Sequence, residues 1–325
     1  MGIFDPYKSV IRKAVENDKL FEKVQLSQSG SAKSINESIK NLRAELPSLE
    51  YYNATIKSSN GITGSSSVAG FPNLGDHPDF SYLRGTDESV GHWIITGFID
   101  VKGSTRLFNK FSKETVRLIT ESIIRAAIFA VNDCKGYVHR IQGDGLMVYF
   151  GGKGIDKKLA VEDALKAFSM ITHFVKNDLK EFFEENGIRD IHTRSALDLG
   201  HDNQVVWHYS GIGSAGEVTT CSLYTSLVPK MQANANQDSI IVGENLYNQM
   251  NSSTLFSKRT NEIWTFDDGR IYNQYDFHWS KYLVKIGKAR QDANGQIYLN
   301  DPVPVSNHPR YLHSMASQNK PYFSE

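Results

Sequence analysis

Cysteine is scarce in this chain of 325 residues: Cys134 and Cys221 stand alone, outside any Cys-x-x-Cys or Cys/His metal spacing. That argues against a disulfide scaffold and a zinc site, and it is the usage of a reducing compartment, so a cytoplasmic location is expected. An excess of either charge is also missing, with 36 Lys and Arg against 36 Asp and Glu. No basic footprint for nucleic acid exists, and any polyanionic ligand must be held by local groups. No apolar run approaches the roughly 20 residues that span a bilayer, and no basic flank precedes an apolar leader, so a soluble protein without membrane contact is expected.

What is present reads as alternating helices and strands. Asp5-Pro6 opens a helix carrying Tyr7, Val10, Ile11 and Ala14 on one face. Ser34 and Glu37 form a capping box before Ile35, Ile39, Leu42 and Leu46. Residues 57–91, rich in Gly, Ser, Asp and Asn, predict a surface connection and a boundary between a helical segment (1–90) and a main domain (91–285), followed by a polar tail (286–325). Within the main domain, residues 93–101 predict a strand, Ser112 caps a helix that Gly136 closes, and 137–142 with 146–150 predict a hairpin around Gly143-Asp144-Gly145. One long helix over 156–186, stopped by Gly187, strands over 191–199 and 204–209, a Gly-rich loop over 211–216, and a helix over 219–235 follow. A strand over 239–242, a short helix over 244–250 and a hairpin of 263–266 with 271–275 complete the domain.

The chemistry-bearing residues sit where these elements end. Asp100 ends a strand, and Lys102, Gly103, Ser104 and Thr105 after it offer a cation, hydroxyls and consecutive amides that suit phosphate. Asp144 sits at the hairpin tip. Either carboxylate alone is equally an ordinary strand-end or turn residue. Two of them on neighbouring strands, with the carbonyl of Ile99 or Val101, are what two Mg²⁺ or Mn²⁺ ions need, and such ions promote in-line displacement at phosphorus. His139, His192 and His208 lack metal spacing and read as sheet residues; Asp198 reads as a structurally paired carboxylate.

From Phe98-Ile-Asp-Val-Lys-Gly-Ser-Thr105, Tyr137-Val-His-Arg-Ile-Gln-Gly-Asp-Gly-Leu-Met-Val-Tyr-Phe150, Arg194 to Gly200 and Ile240-Ile-Val-Gly-Glu244, the chain resembles the class III nucleotidyl cyclases. The resemblance implies an α+β fold, a ferredoxin-like core with an antiparallel-rich sheet, preceded by the N-terminal helical segment. It also implies a head-to-tail homodimer with composite sites. Asp100, Val101 (through its carbonyl) and Asp144 would hold two Mn²⁺ or Mg²⁺ ions, and the partner would supply base-reading and transition-state groups.

Departures from the family pattern shift the expected substrate. Purine cyclases carry Lys or Glu where this chain has Arg140, a donor-only group that suits the carbonyls of a pyrimidine. The family's transition-state Asn and Arg fall near Ser226 and Lys230, and its second base-selecting position near Thr219 or Thr220. These features are similar to the bacterial pyrimidine cyclases of the Pycsar anti-phage systems, in which an aromatic residue matching Phe98 helps position the nucleotide. The resemblance therefore implies conversion of UTP to 3′,5′-cyclic UMP and pyrophosphate, read by a separate effector. CTP, a purine triphosphate, or an inactive cyclase-fold module for binding or dimerisation are the alternatives.

Overall fold

The computed structural model describes residues 2–26, 32–48, 51, 73–188, 191–250, 252–260 and 264–300. Its centre is a seven-stranded sheet in the order β3-β4-β2-β5-β8-β10-β9, formed by β2 (Ile94–Lys102), β3 (Gly136–Gln142), β4 (Gly145–Phe150), β5 (His192–Gly200), β8 (Ser239–Gly243), β9 (Phe256–Lys258) and β10 (Gln274–Phe277). All neighbours are antiparallel except β5 and β8. The antiparallel-rich α+β architecture is as expected.

Alternation along β2 divides the molecule. Ile95, Ile99 and Val101 point into the main apolar cluster, together with α3 (Lys113–Asp133) and α4 (Lys157–His173). Gly97 belongs to this side because a Cβ there would lie 2.4 Å from the Phe168 ring of α4. Ile94, Thr96, Phe98 and Asp100 point to the opposite face. That face is covered by a small antiparallel sheet, β1 (Ser89–Gly91), β6 (Val206–Ile212) and β7 (Ala215–Cys221), and by α6 (Leu223–Ala233). Two apolar clusters result, one under β6 and β7 and one under α6, and half-buried Phe98 touches both.

The N-terminal helices α1 (Asp5–Leu26) and α2 (Ala32–Ala44) lie against the main domain. Tyr7, Val10, Ile11, Ala14, Ile39, Leu42 and Leu46 all enter the main cluster. The Ser34 side chain of the expected capping box, residues 52–72 of the expected connection and residues 301–325 of the expected tail lie outside what is described.

Several elements differ from the sequence expectation. The long helix is interrupted: α4 passes through a π turn at Phe174–Asp178 into α5 (Lys180–Glu185), although Gly187, at φ +67°, does end the run. Thr219 is on strand β7 and not on a helix, since the β-branched run Val218-Thr219-Thr220 pairs with β6. The Gly-rich loop contracts to the tight turn of that hairpin. Gly136 begins β3 instead of closing α3, and Lys135 takes the positive φ. Of the hairpin near Asp268-Gly269, the described residues show a bridge between Thr265 and Ile271, and Ile263 lies outside them. Past Gly287 a hairpin of β11 (Ala289–Gln291) and β12 (Ile297–Leu299) replaces the start of the expected tail, because Ala289 and Ile297 reach the main core.

Candidate active site

Two rows of residues across the sheet define the site. The first runs Gln142, Gly145, Asp100, Arg194, Ser239, and the second Arg140, Met147, Phe98, Ala196, Ile241, each residue opposite its neighbour on the next strand. Gly145 makes the first row possible. A Cβ there would sit 2.8 Å from the carbonyl oxygen of Ile99, so only glycine lets β4 come this close to β2 beside Asp100. Asp144 precedes it in the turn, where Gly143 takes φ +62°. The structure thus brings Asp100, Asp144 and the Ile99 carbonyl into one neighbourhood. Val101 points its side chain into the core, so its carbonyl alone is available as a donor.

The loop after β2 closes on the same point. Gly103, left-handed at φ +91°, starts a 3-10 turn over Ser104–Asn109, and the buried Ser104 hydroxyl donates to an Asp144 carboxylate oxygen. Lys102 and Thr105 are exposed around it. All candidate metal donors are hard oxygens, the set that Mg²⁺ and Mn²⁺ take. Among the described residues no group of three or more His, Cys, Asp or Glu converges.

Arg194 joins the site without having been assigned a role from sequence. Its Nη2 donates to Asp100 Oδ2 at 2.6 Å and its Nη1 to the Ala233 carbonyl at 3.5 Å, at the end of α6. Its Nε is buried without a hydrogen-bond partner. The signal in the sequence was a single Arg near the start of the strand that ends Ala-Leu-Asp-Leu-Gly.

A β-bulge aims Arg140. Tyr137 pairs with Tyr149 and Val138 with Val148, but Arg140 pairs with Met147, so His139 is the extra residue. Without that shift Val138 and Arg140, two apart, would share a face. With it, Val138 enters the core and Arg140 turns toward Phe98, about 10 Å away across two strands. Arg140 is ion-paired there: Nε donates to Glu217 Oε2 at 2.7 Å, and Nη2 approaches Oε1 more closely still. Glu217, on β7, is a second site residue that the sequence reading did not find. His139 is fully buried and pushed down to about 3, first by burial and then by the Arg140 charge, so its 3.6 Å approach to Glu217 is that of a neutral ring.

Beside this pair a chain of hydroxyls links four elements. Tyr149 Oη lies 3.2 Å from Thr220 Oγ1 and 3.4 Å from Thr219 Oγ1, and Thr225 Oγ1 lies 3.2 Å from both Thr220 and Thr96. Thr219 is thus tied to the sheet near Arg140. Ser226 and Lys230 are not drawn to the carboxylates: the Ser226 hydroxyl donates to the carbonyl of Ser222, at the N-cap of its helix, at 2.9 Å, and the exposed Lys230 ammonium lies 5.5 Å from the Trp264 ring centroid. His192 pairs with Asp238 at 3.0 Å, and His208 contacts the Tyr209 carbonyl, both as sheet residues. Asp198 is buried, accepts from the Tyr272 hydroxyl and the Leu246 amide, and is lifted to about 7 chiefly by burial, the structural pairing expected of it.

No family model matches the chain. It is 34% identical over 222 residues to a cytidylate cyclase of Staphylococcus aureus, covering 65% of this chain and 52% of that protein. It is 31% identical over 313 residues to a cytidylate cyclase of Escherichia coli, covering 88% of this chain and 66% of that protein. The chain thus spans between half and two thirds of the length of these relatives. Among solved structures, the adenylyl cyclase CyaB from P. aeruginosa superposes with a TM-score of 0.51 at 16% identity, over 58% of this chain and 95% of that one, which speaks for the fold. Fold and relatives agree: the chain belongs to the class III nucleotidyl cyclases, in the group that holds these cytidylate cyclases.

Proposed function

We propose that this protein is a pyrimidine nucleotide cyclase that converts CTP to 3′,5′-cyclic CMP and pyrophosphate. The observation that carries the chemistry is the Gly145 approach, which sets Asp144 beside Asp100 under a loop suited to phosphate. Cytosine is favoured by the relatives, both named cytidylate cyclase. UTP, giving cyclic UMP, is the second reading, because the donor-only Arg140 suits the carbonyls of uracil.

In this reading the ribose 3′-hydroxyl attacks the α-phosphorus and the bond from that phosphorus to the bridging oxygen breaks, releasing pyrophosphate. Asp100 and Asp144, with the carbonyl of Ile99 or Val101, would hold Mg²⁺ or Mn²⁺, which when bound supplies acidity at the hydroxyl and neutralises the leaving group. Lys102 and the amides and hydroxyls of Gly103, Ser104 and Thr105 cradle the phosphates, and Arg194, paired with Asp100, adds a guanidinium beside them. Phe98 packs the nucleotide, Arg140 and Thr219 face the base, Lys230 places a charge near the α-phosphate and Ser226 orients the ribose. A head-to-tail homodimer would bring the last four to the carboxylates of the other subunit. An alarm role in anti-phage defence, with the product read by a separate effector, rests on the family resemblance; a rise in cyclic nucleotide on phage challenge is its measurement.

A cyclase-fold module without turnover is the reading of another class, supported by Ser226 and Lys230 standing where the family pattern has Asn and Arg. Incubating the full chain with each of the four triphosphates and Mn²⁺ separates these readings. Cyclic CMP from CTP is expected, and Asp100→Ala and Asp144→Ala should each lower it by about 100-fold or more while leaving fold and oligomeric state intact. Product from UTP alone moves the substrate to uracil, product from a purine alone overturns the pyrimidine assignment, and no product from any of them leaves the module.

A further inference from the structure

We infer that Glu217 and Arg140 together form the base-reading fork of this site, and that Glu217 is the residue selecting cytosine over uracil. The inference rests on the pyrimidine-nucleotide reading above and assigns a residue and an order of preference within it.

Arg140 taken alone is ambiguous, since it offers donors only and both pyrimidines carry an O2 acceptor. The structure removes the ambiguity by placing a carboxylate in its fork: Glu217 Oε2 accepts from Arg140 Nε at 2.7 Å, and both side chains remain half-exposed. The pair is built and not incidental. A bulge at His139 spends one residue of β3 turning Arg140 to this face, and Gly75, whose amide donates to the His139 carbonyl and whose own carbonyl accepts from the Val218 amide, ties β3 to β7 at the same level. A Cβ on Gly75 would lie 3.0 Å from Glu217 Cβ. The neutral, buried His139 ring behind Glu217 brings no competing cation.

A guanidinium beside a carboxylate presents donors next to an acceptor. Cytosine presents acceptors at O2 and N3 next to the N4 amino donor, and a Glu that takes a hydrogen bond from that amino group is the pairing its geometry favours. Uracil presents O4 in that place, an acceptor facing an acceptor-only carboxylate, and an N3–H facing a donor. The contact to O2 therefore tolerates either base, while the contacts at N3 and at the 4-position reject uracil.

The test measures kcat/KM for CTP and UTP in the full chain with Mn²⁺, and also equilibrium binding of each triphosphate with Ca²⁺ as a non-turnover ion. The wild type is expected to favour CTP in both. Glu217→Gln, which can donate to O4, should cut the CTP/UTP ratio by about 10- to 100-fold. Glu217→Asp, which keeps the acceptor, should retain most of the preference and guards against a variant that merely fails to fold. An unchanged ratio in Glu217→Gln, or a wild type that binds UTP as well as CTP, overturns the inference. Absence of turnover with a binding ratio that shifts as stated overturns the cyclase reading and leaves the fork standing.

Discussion

Asp198 is a buried carboxyl in the frame of the site. It lies one pleat beyond Phe98 and Ala196 on the face that carries Asp100, buried and held by Tyr272 and Leu246. Burial lifts its carboxyl from 3.8 to about 7, so between those values the folded chain keeps a proton that the unfolded chain has released. The folded state then binds more protons than the unfolded one, and this group's contribution to stability falls as pH rises through that window and is constant above it. Asn is isosteric with the neutral acid and does not titrate. The melting temperature of Asp198→Asn, measured against the wild type, should therefore gain with pH across the window and level off above about 7. Each pKa unit corresponds to about 1.4 kcal/mol, so the trend is well within reach of calorimetry. A difference that does not vary with pH would show that Asp198 ionises alike in both states.

Strands set the spacing of the carboxylates, and the contact of β2 with β4 is where a small change should tell most. Gly145→Ala places a methyl 2.8 Å from the Ile99 carbonyl oxygen, which is backbone and cannot rotate away. The strands must part beside Asp100. A loss of about 1–3 kcal/mol in stability is expected from the overpacking, with a fall of about 100-fold in cyclic product from the displaced carboxylates. Denaturant titration and turnover on the same preparation check both; full activity at unchanged stability would sever the link between this approach and the site. What could be read from sequence follows the same division. The positions of Asp100 and Asp144 and the hairpin that carries Asp144 were legible because a strand end and a Gly-Asp-Gly turn are local features. The end of β7, from Thr219, was read as the start of a helix because its pairing with β6 is a tertiary fact. The His139 bulge breaks the period of two that sequence reading relies on, and both Glu217 and Arg194 found their partners only through strand pairing and folding that no local pattern encodes.

At the scale of the whole molecule, the N-terminal helices are part of the body that holds the site. Phe4 stacks on Phe174 of the π turn at 4.5 Å, and Tyr7, Val10 and Ile11 are all but fully buried in the main cluster. Asp18 of α1 accepts from the Ser112 amide at 3.3 Å and from the Thr115 hydroxyl at 2.9 Å, so α1 helps cap α3 just after the loop that follows β2. The Arg43 guanidinium of α2 meets Glu121 of α3 at 3.0 Å, and Arg125 shares that carboxylate. Elements joined through one apolar core unfold together. Ile11→Ala should accordingly lower the stability of the entire chain by about 2–5 kcal/mol, the usual cost of emptying a buried branched side chain. The expected trace is a single transition moved to lower denaturant, seen equally by far-UV circular dichroism and by Trp207 and Trp93, which lie in the main domain beyond α1 and α2. A first transition that loses helix while the tryptophan signal keeps its wild-type midpoint would show instead that residues before the connection fold by themselves.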